Sequence, residues 1–143
     1  MSSEGEWPEL VDGEMVLQDE ATVLYRQIHP SWVQGDTITS QAFKPTPKDS
    51  GQLSTRQASK LSAEDAYVAH TAEEGLRSVG TYQVTAGEVA SVRLRSIDDS
   101  GVSNRPNGHA YIDCRNRSNR QIEKAAKVLR TQAMQHGPQF TPT

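Results

Sequence analysis

The sequence predicts an α+β fold, a single domain with a mixed or mostly antiparallel sheet and about two main helices packed on one face. Three observations lead there. The chain has 143 residues, the usual size of one domain with one hydrophobic core. Strand-like segments alternate irregularly with two well-capped helical segments, and most connections are too short for right-handed parallel crossovers. No internal repeat is present.

Residues 1–20 read as an acidic, flexible arm in which Met15, Val16 and Leu17 have the character of a short docking strand. The first full strand is expected over Ala21 to Ile28, rich in β-branched, aromatic and aliphatic side chains and closed by His29-Pro30. Gln34-Gly35-Asp36 signals a turn, with a second strand expected over Thr37 to Phe43. The proline-bearing stretch Lys44 to Gly51 is a stiff connection, and Gln52 to Thr55 a further short strand.

Ser62, with Asp65 three residues on, opens a helix whose face carries Ala63, Ala66, Tyr67 and His70 and which Gly75 ends. Thr81 to Val84 reads as a strand, Thr85 with Glu88 as a capping box opening a short helix, and Val92 to Ile97 as another strand. Asp98 to Gly108 carries every loop marker. The strand His109 to Cys114 alternates, with Ala110, Ile112 and Cys114 on one face and His109, Tyr111 and Asp113 on the other. The last helix runs from an N-cap at Ser118 to His136, stopped by Gly137-Pro138. The domain is therefore placed at 21–136, with 137–143 as a loose tail.

Composition narrows the functional classes. Apolar residues make up 34% of the chain, below the globular average, which predicts polar loops or a disordered end. No run approaches the length of a membrane span, and the first residues lack the basic and apolar regions of a signal peptide, so no membrane partner is expected. Cys114 is the single cysteine, which rules out an internal disulfide and argues against a cysteine-based zinc site; a cytoplasmic setting is expected. Seven carboxylates and no Lys or Arg fall within residues 1–25, leaving 11 acidic against 15 basic residues elsewhere, a formal +4.

Three clusters could carry function. The last helix presents Ile122, Ala125, Ala126, Leu129 and Ala133 on one face and Arg117, Arg120, Lys124 and Lys127 on the other, just after Arg115. That basic stripe suits an acidic protein partner or a nucleic-acid backbone, or a docked acidic arm; a solvated helix face has the same pattern. In Tyr25-Arg26-Gln27-Ile28-His29, alternation puts Arg26 on the buried face, where a guanidinium must be paired or line a pocket. His109, Tyr111 and Asp113 share one strand face, which allows an Asp-oriented His or a His–Tyr relay, and equally describes a solvent-facing strand. Tyr25 is a further binding candidate, and Arg26, His29 and His109 together would suit an anionic, phosphate-bearing substrate. The four histidines are too scattered for a metal site, and no phosphate-loop, dinucleotide or nucleophile-elbow motif is present, so no cofactor is expected.

The segments Tyr25-Arg26-Gln27-Ile28-His29-Pro30, Thr39-Ser40-Gln41-Ala42-Phe43-Lys44-Pro45-Thr46-Pro47-Lys48-Asp49, Leu53-Ser54 and Gly108-His109-Ala110 resemble, in the same order, a group of small uncharacterised bacterial proteins. That resemblance spans about residues 21–136; it implies a bacterial origin and brings no catalytic residue with it. Tyr25-Arg26 near the end of a first strand, with Ser40 and Ser54, is also similar to NAD-dependent ADP-ribosyl transfer folds, whose catalytic Glu motif is not evident here. Two readings follow: a non-catalytic accessory or interaction component of a larger assembly, or a small enzyme acting on a phosphate-bearing or nucleotide substrate through Arg26, His29 and His109.

Overall fold

The computed structural model of the chain describes residues 6–143. Six strands form one sheet: β1 (Met15–Val16), β2 (Val23–Gln27), β5 (Gln52–Gln57), β6 (Thr81–Thr85), β7 (Arg95–Asp98) and β8 (His109–Asp113), in the order β1-β7-β8-β5-β2-β6. Every neighbouring pair is antiparallel, although only β7 and β8 are consecutive strands joined by a single loop. A separate two-stranded ribbon pairs β3 (Val33–Gln34) with β4 (Thr37–Ile38). The helices are α1 (Ala63–Val68), α2 (Ala86–Ser91) and α3 (Asn119–His136).

The core lies on one face of the sheet. Leu24, Leu53, Val84 and Ile112 point into it and are fully buried, met by Val89 of α2 and by Ala126, Leu129 and Ala133 of α3. The α3 face predicted from spacing is the one that packs. Its small residues let the helix lie close over the sheet. The capping boxes seat the two helices: Thr85 Oγ1 accepts from Glu88 N while Glu88 accepts from Thr85 N, and Ser118 and Gln121 repeat the exchange at α3. A third helix, α1, lies against the opposite face of β2 and β6, where Thr81 Oγ1 donates to Ala63 O. We call that opposite side the outer face.

Several expected boundaries move, each for a local reason. The strand expected over Thr37 to Phe43 stops at Ile38 and gives way to a 3-10 turn, Ser40–Phe43. Ala42 and Phe43 are adjacent and both buried, which an alternating strand cannot do; the turn folds both beneath α3. The strand expected from Val92 starts at Arg95, because Leu94 N still donates to Val89 O and Arg93 takes a left-handed φ of 63°. Helix α1 widens into a π-turn over Ala69–Glu73, with Glu74 N reaching back to Ala69 O.

The acidic arm, in its described part, is docked rather than loose. Its β1 forms the edge of the sheet, and Leu17 N continues the pairing by donating to Ser96 O. Gly13 and Gly101 touch backbone to backbone: a Cβ on Gly13 would sit 2.7 Å from the Gly101 carbonyl. Trp7 lies under two guanidinium groups, with Arg117 Cζ 3.3 Å and Arg95 Cζ 4.8 Å from its ring centroid. The C-terminal segment is tied down too. Phe140 O accepts from Thr81 N at 2.8 Å, and the Phe140 ring lies against Tyr67. Both ends therefore guard sheet edges, one at β1 and the other at β6. Among the described residues, no helix is long and apolar enough to cross a membrane.

Candidate functional site

The strand register builds a row of functional side chains across the outer face. Tyr25 of β2 pairs with Arg56 of β5, and Arg56 pairs with His109 of β8. All three therefore point the same way, at successive spacings of about 4.8 Å. Asp99, one residue past β7, completes the row beside His109. Tyr25, Arg56 and His109, together with residues 104–106 of the loop and the α1 π-turn, line a cleft of about 360 Å³, with Asp99 buried behind His109. Ser54, Arg105, Asn104, Pro106, His70 and Glu74 contribute to its walls. A smaller hollow of about 270 Å³ continues from it past Ser54, Arg105 and His109 to Lys48, Asp49 and Tyr111.

His109 is the chemical centre of this cleft. Its Nδ1 lies 2.6 Å from Asp99 Oδ1, and Asp99 is fully buried. Arg105 Nε sits 3.1 Å from the other carboxylate oxygen, close enough to pair but without hydrogen-bond alignment, which leaves Asp99 Oδ2 without a hydrogen bond. No described residue hydrogen-bonds His109 Nε2. Gly108 makes this entry to β8 possible. Its φ is +71°, and a Cβ there would stand 2.7 Å from Lys60 Cβ.

Arg56 is held at the cleft by Glu74 Oε2 and by Asn107 O, both at 3.1 Å. Arg26 reaches the same cleft from the core side, through a split in the sheet. The β2–β5 ladder has only two residue pairs, and beyond it the guanidinium fills the gap. Nε donates to Ala42 O at 2.8 Å and Nη1 to Ser54 O at 2.9 Å, with the Trp32 ring 5.2 Å away. Burial lowers the Arg26 pKa to about 10, Asp49 opposing the shift, so the group remains charged at neutral pH. Counting both hollows, Arg26, Lys48, Arg56 and Arg105 face Asp49, Glu74 and Asp99, an excess of one positive charge before any histidine is counted.

The structure thus brings Arg26, Tyr25 and His109 to one cleft and leaves His29 out of it. His29 instead caps a turn at the end of β2, where Nδ1 accepts from Ser31 N at 3.0 Å and lies 2.8 Å from Ser31 Oγ. The expected relay along β8 is also corrected. All five residues of β8 are buried, so its polar face does not meet solvent. Tyr111 OH donates to Glu14 at 2.8 Å and accepts from Arg115 at 3.1 Å, and burial followed by the Glu14 bond pushes its pKa well up. Asp113 holds Arg95 and Arg115, each at 2.8 Å. The carboxylate that orients His109 is therefore Asp99, from the loop.

The signal for Asp99 in the sequence is slight. Register places it opposite His109, but only once β7 and β8 are known to pair. Ser40 and Ser54 do not meet either: Ser54 lines the cleft, whereas Ser40 lies beside Lys127 and Arg130 of α3. Burial drives the Cys114 pKa up to about 12, which makes it an inert core thiol. On α3, Arg120, Lys124 and Lys127 are exposed, whereas Arg117 is engaged by Trp7. A hollow of about 420 Å³ beside them, between Val92–Leu94 and α3, is lined by Lys124 and by no Asp, Glu, His or Cys among the described residues. Among the described residues, no cluster of three or more His, Cys, Asp or Glu is arranged to hold a metal ion. No family model, curated protein or solved structure matches the chain.

Proposed function

We propose that the chain is a small enzyme that binds a phosphate-bearing substrate in the outer-face cleft and uses His109 for proton transfer. One observation carries this reading: a histidine oriented by a buried carboxylate, with its second nitrogen unbonded at a cationic cleft. With the Nδ1 hydrogen donated to Asp99, the neutral ring keeps its lone pair on Nε2. Asp99 fixes the ring and stabilises the imidazolium once Nε2 has taken a proton from a hydroxyl or water held beside the phosphate. Arg56 and Arg105 supply planar forks of donors suited to phosphate oxygens, and Arg26 adds fixed charge from below.

The test is titration of the protein with inorganic phosphate and pyrophosphate while the His109 ring is followed by NMR. The expected outcome is saturable binding that perturbs His109 and is lost, with the fold intact, in Arg56→Gln and Arg105→Gln. Absence of binding at millimolar ligand would overturn the reading. Turnover of a panel of phosphate esters should then fall at least about 100-fold in His109→Gln, the usual contribution of a positioned acid–base group.

The exposure of Arg120, Lys124 and Lys127 supports a second reading, a non-catalytic contact surface on α3 for an acidic partner. Salt-dependent binding of generic DNA or RNA, reduced in a triple glutamine variant, is its test. No binding leaves only acidic proteins as partners for that surface.

A further inference from the structure

The two ends of the cleft differ in chemistry. The phosphate end is Arg105, Arg56 and His109. The other end, two strands away across the row, is Tyr25 with Ala66, His70 and Leu76. Tyr25 is half-buried, its hydroxyl has no hydrogen-bond partner among the described residues, and no other aromatic ring covers it. Leu76 is 48% exposed at the mouth. A half-buried phenol lining the cleft next to an exposed leucine gives this end an apolar character that the arginine end lacks.

The wall facing Tyr25 is the π-turn that follows α1. Such turns are an uncommon departure from regular helix and are concentrated at functional sites. This one places His70 on the cleft, with Nε2 3.3 Å from Arg77 O. Burial holds the His70 pKa below its ordinary value, so at neutral pH the ring is an uncharged plane. Glu74, at the end of the same turn, keeps its carboxylate at the cleft and 45% exposed while it pairs with Arg56.

We infer that the substrate of this cleft is a nucleoside 5′-monophosphate, or a larger molecule ending in one, with its base on the Tyr25 ring and its phosphate at Arg56 and Arg105. This inference rests on the phosphate reading above and adds the base-binding end. The row sets the spacing. Tyr25 and His109 are separated by two strand spacings, about 10 Å between backbones, so the sugar lies between the Tyr25 ring and the phosphate held by Arg56 and Arg105. The cleft volume, about 360 Å³, falls within the range of small-molecule sites. Base–aromatic stacking tolerates every base, since each has a π face, so Tyr25 selects for a ring rather than for one base.

Calorimetric titration of the full chain with inorganic phosphate, ribose 5-phosphate, AMP and UMP separates the two claims. Both nucleotides should bind about tenfold or more tighter than ribose 5-phosphate, the fold-change expected from one stacked base. Tyr25→Leu should abolish that difference while keeping the affinity for ribose 5-phosphate, and Tyr25→Phe should retain it. Equal affinities for ribose 5-phosphate and the nucleotides would overturn the base-binding end and leave the phosphate reading standing. A nucleotide advantage that survives in Tyr25→Leu would overturn the inference by placing the base elsewhere. If none of the four ligands bound, both readings would fall together.

Discussion

Replacing Asp113 with asparagine tests the polar side of the fold. Asp113 is fully buried, and its two oxygens are divided between Arg95 Nε at 2.8 Å and Arg115 Nε at 2.8 Å, with Arg115 Nη2 at 3.0 Å. Asparagine keeps the volume but removes the charge, and it turns one acceptor into a donor facing a guanidinium. Breaking a buried pair from one side costs about 3–5 kcal/mol. Here the arginine side chains are 14% and 24% exposed, and Arg95 keeps Pro8 O and the Trp7 ring. Partial hydration moves the expectation to about 2–4 kcal/mol, a large share of a typical domain's stability.

In a urea titration followed by tryptophan fluorescence, that loss lowers the midpoint by about 1–2 M at unchanged slope. The pH dependence gives a second handle. Burial alone would raise the Asp113 pKa, but the hydrogen bonds from Arg115 and Arg95 outweigh it and hold the carboxyl below its ordinary value. A lowered folded value means that the contribution is present above the unfolded carboxylate range and is lost as pH falls through the folded value. Wild type and variant should therefore converge in stability as the pH drops below about 4. A loss under about 0.5 kcal/mol at pH 7, or a gap that persists in acid, would refute this assignment of Asp113.

Three further outcomes follow from the packing. Leu129→Ala empties a fully buried site between α3 and the sheet and should cost about 3–5 kcal/mol by urea unfolding. Cys114, 2% exposed and with its pKa raised to about 12, should resist an aromatic disulfide reagent at pH 8 and react fully once the chain is unfolded in urea. Trp7→Ala removes the ring shared by Arg95 and Arg117; loss of two cation–π contacts and their packing should cost about 1–3 kcal/mol. It should also speed hydrogen exchange at Leu17 N, whose partner is Ser96 O, and unchanged protection there would show that Trp7 does not anchor the arm.

Much of this architecture is written locally. Ser118 and the Thr85–Glu88 box start their helices where spacing says they should, and the alternation of β8 assigns Ala110, Ile112 and Cys114 to the core side correctly. Caps and period-two alternation need only neighbours in the chain, so the sequence displays them. What the sequence conceals is pairing across the chain. Asp99 meets His109 because β7 pairs with β8, and Tyr111 is sealed because Glu14, 97 positions earlier, bonds its hydroxyl. The polar face of β8 reads as solvent-facing until the arm that covers part of it is in place. Arg26 was legible as a buried guanidinium in need of partners; that those partners are the carbonyls of Ala42 and Ser54 depends on a turn that strand propensity hid. His29, which looks chemical in sequence, is occupied by its own backbone two residues on.

The short ladder between β2 and β5 divides the sheet into two panels. One, β2–β6, is stitched by five residue pairs; in the other, β5–β8 is stitched by five as well, yet only two pairs join the panels. Arg26 bridges that joint, holding Ser54 O across the gap. Tyr25 rides on one panel, Arg56 and His109 on the other. The cleft therefore straddles the least-stitched seam of the sheet, which is closed by the Ala58 N to Val23 O bond and by Arg26.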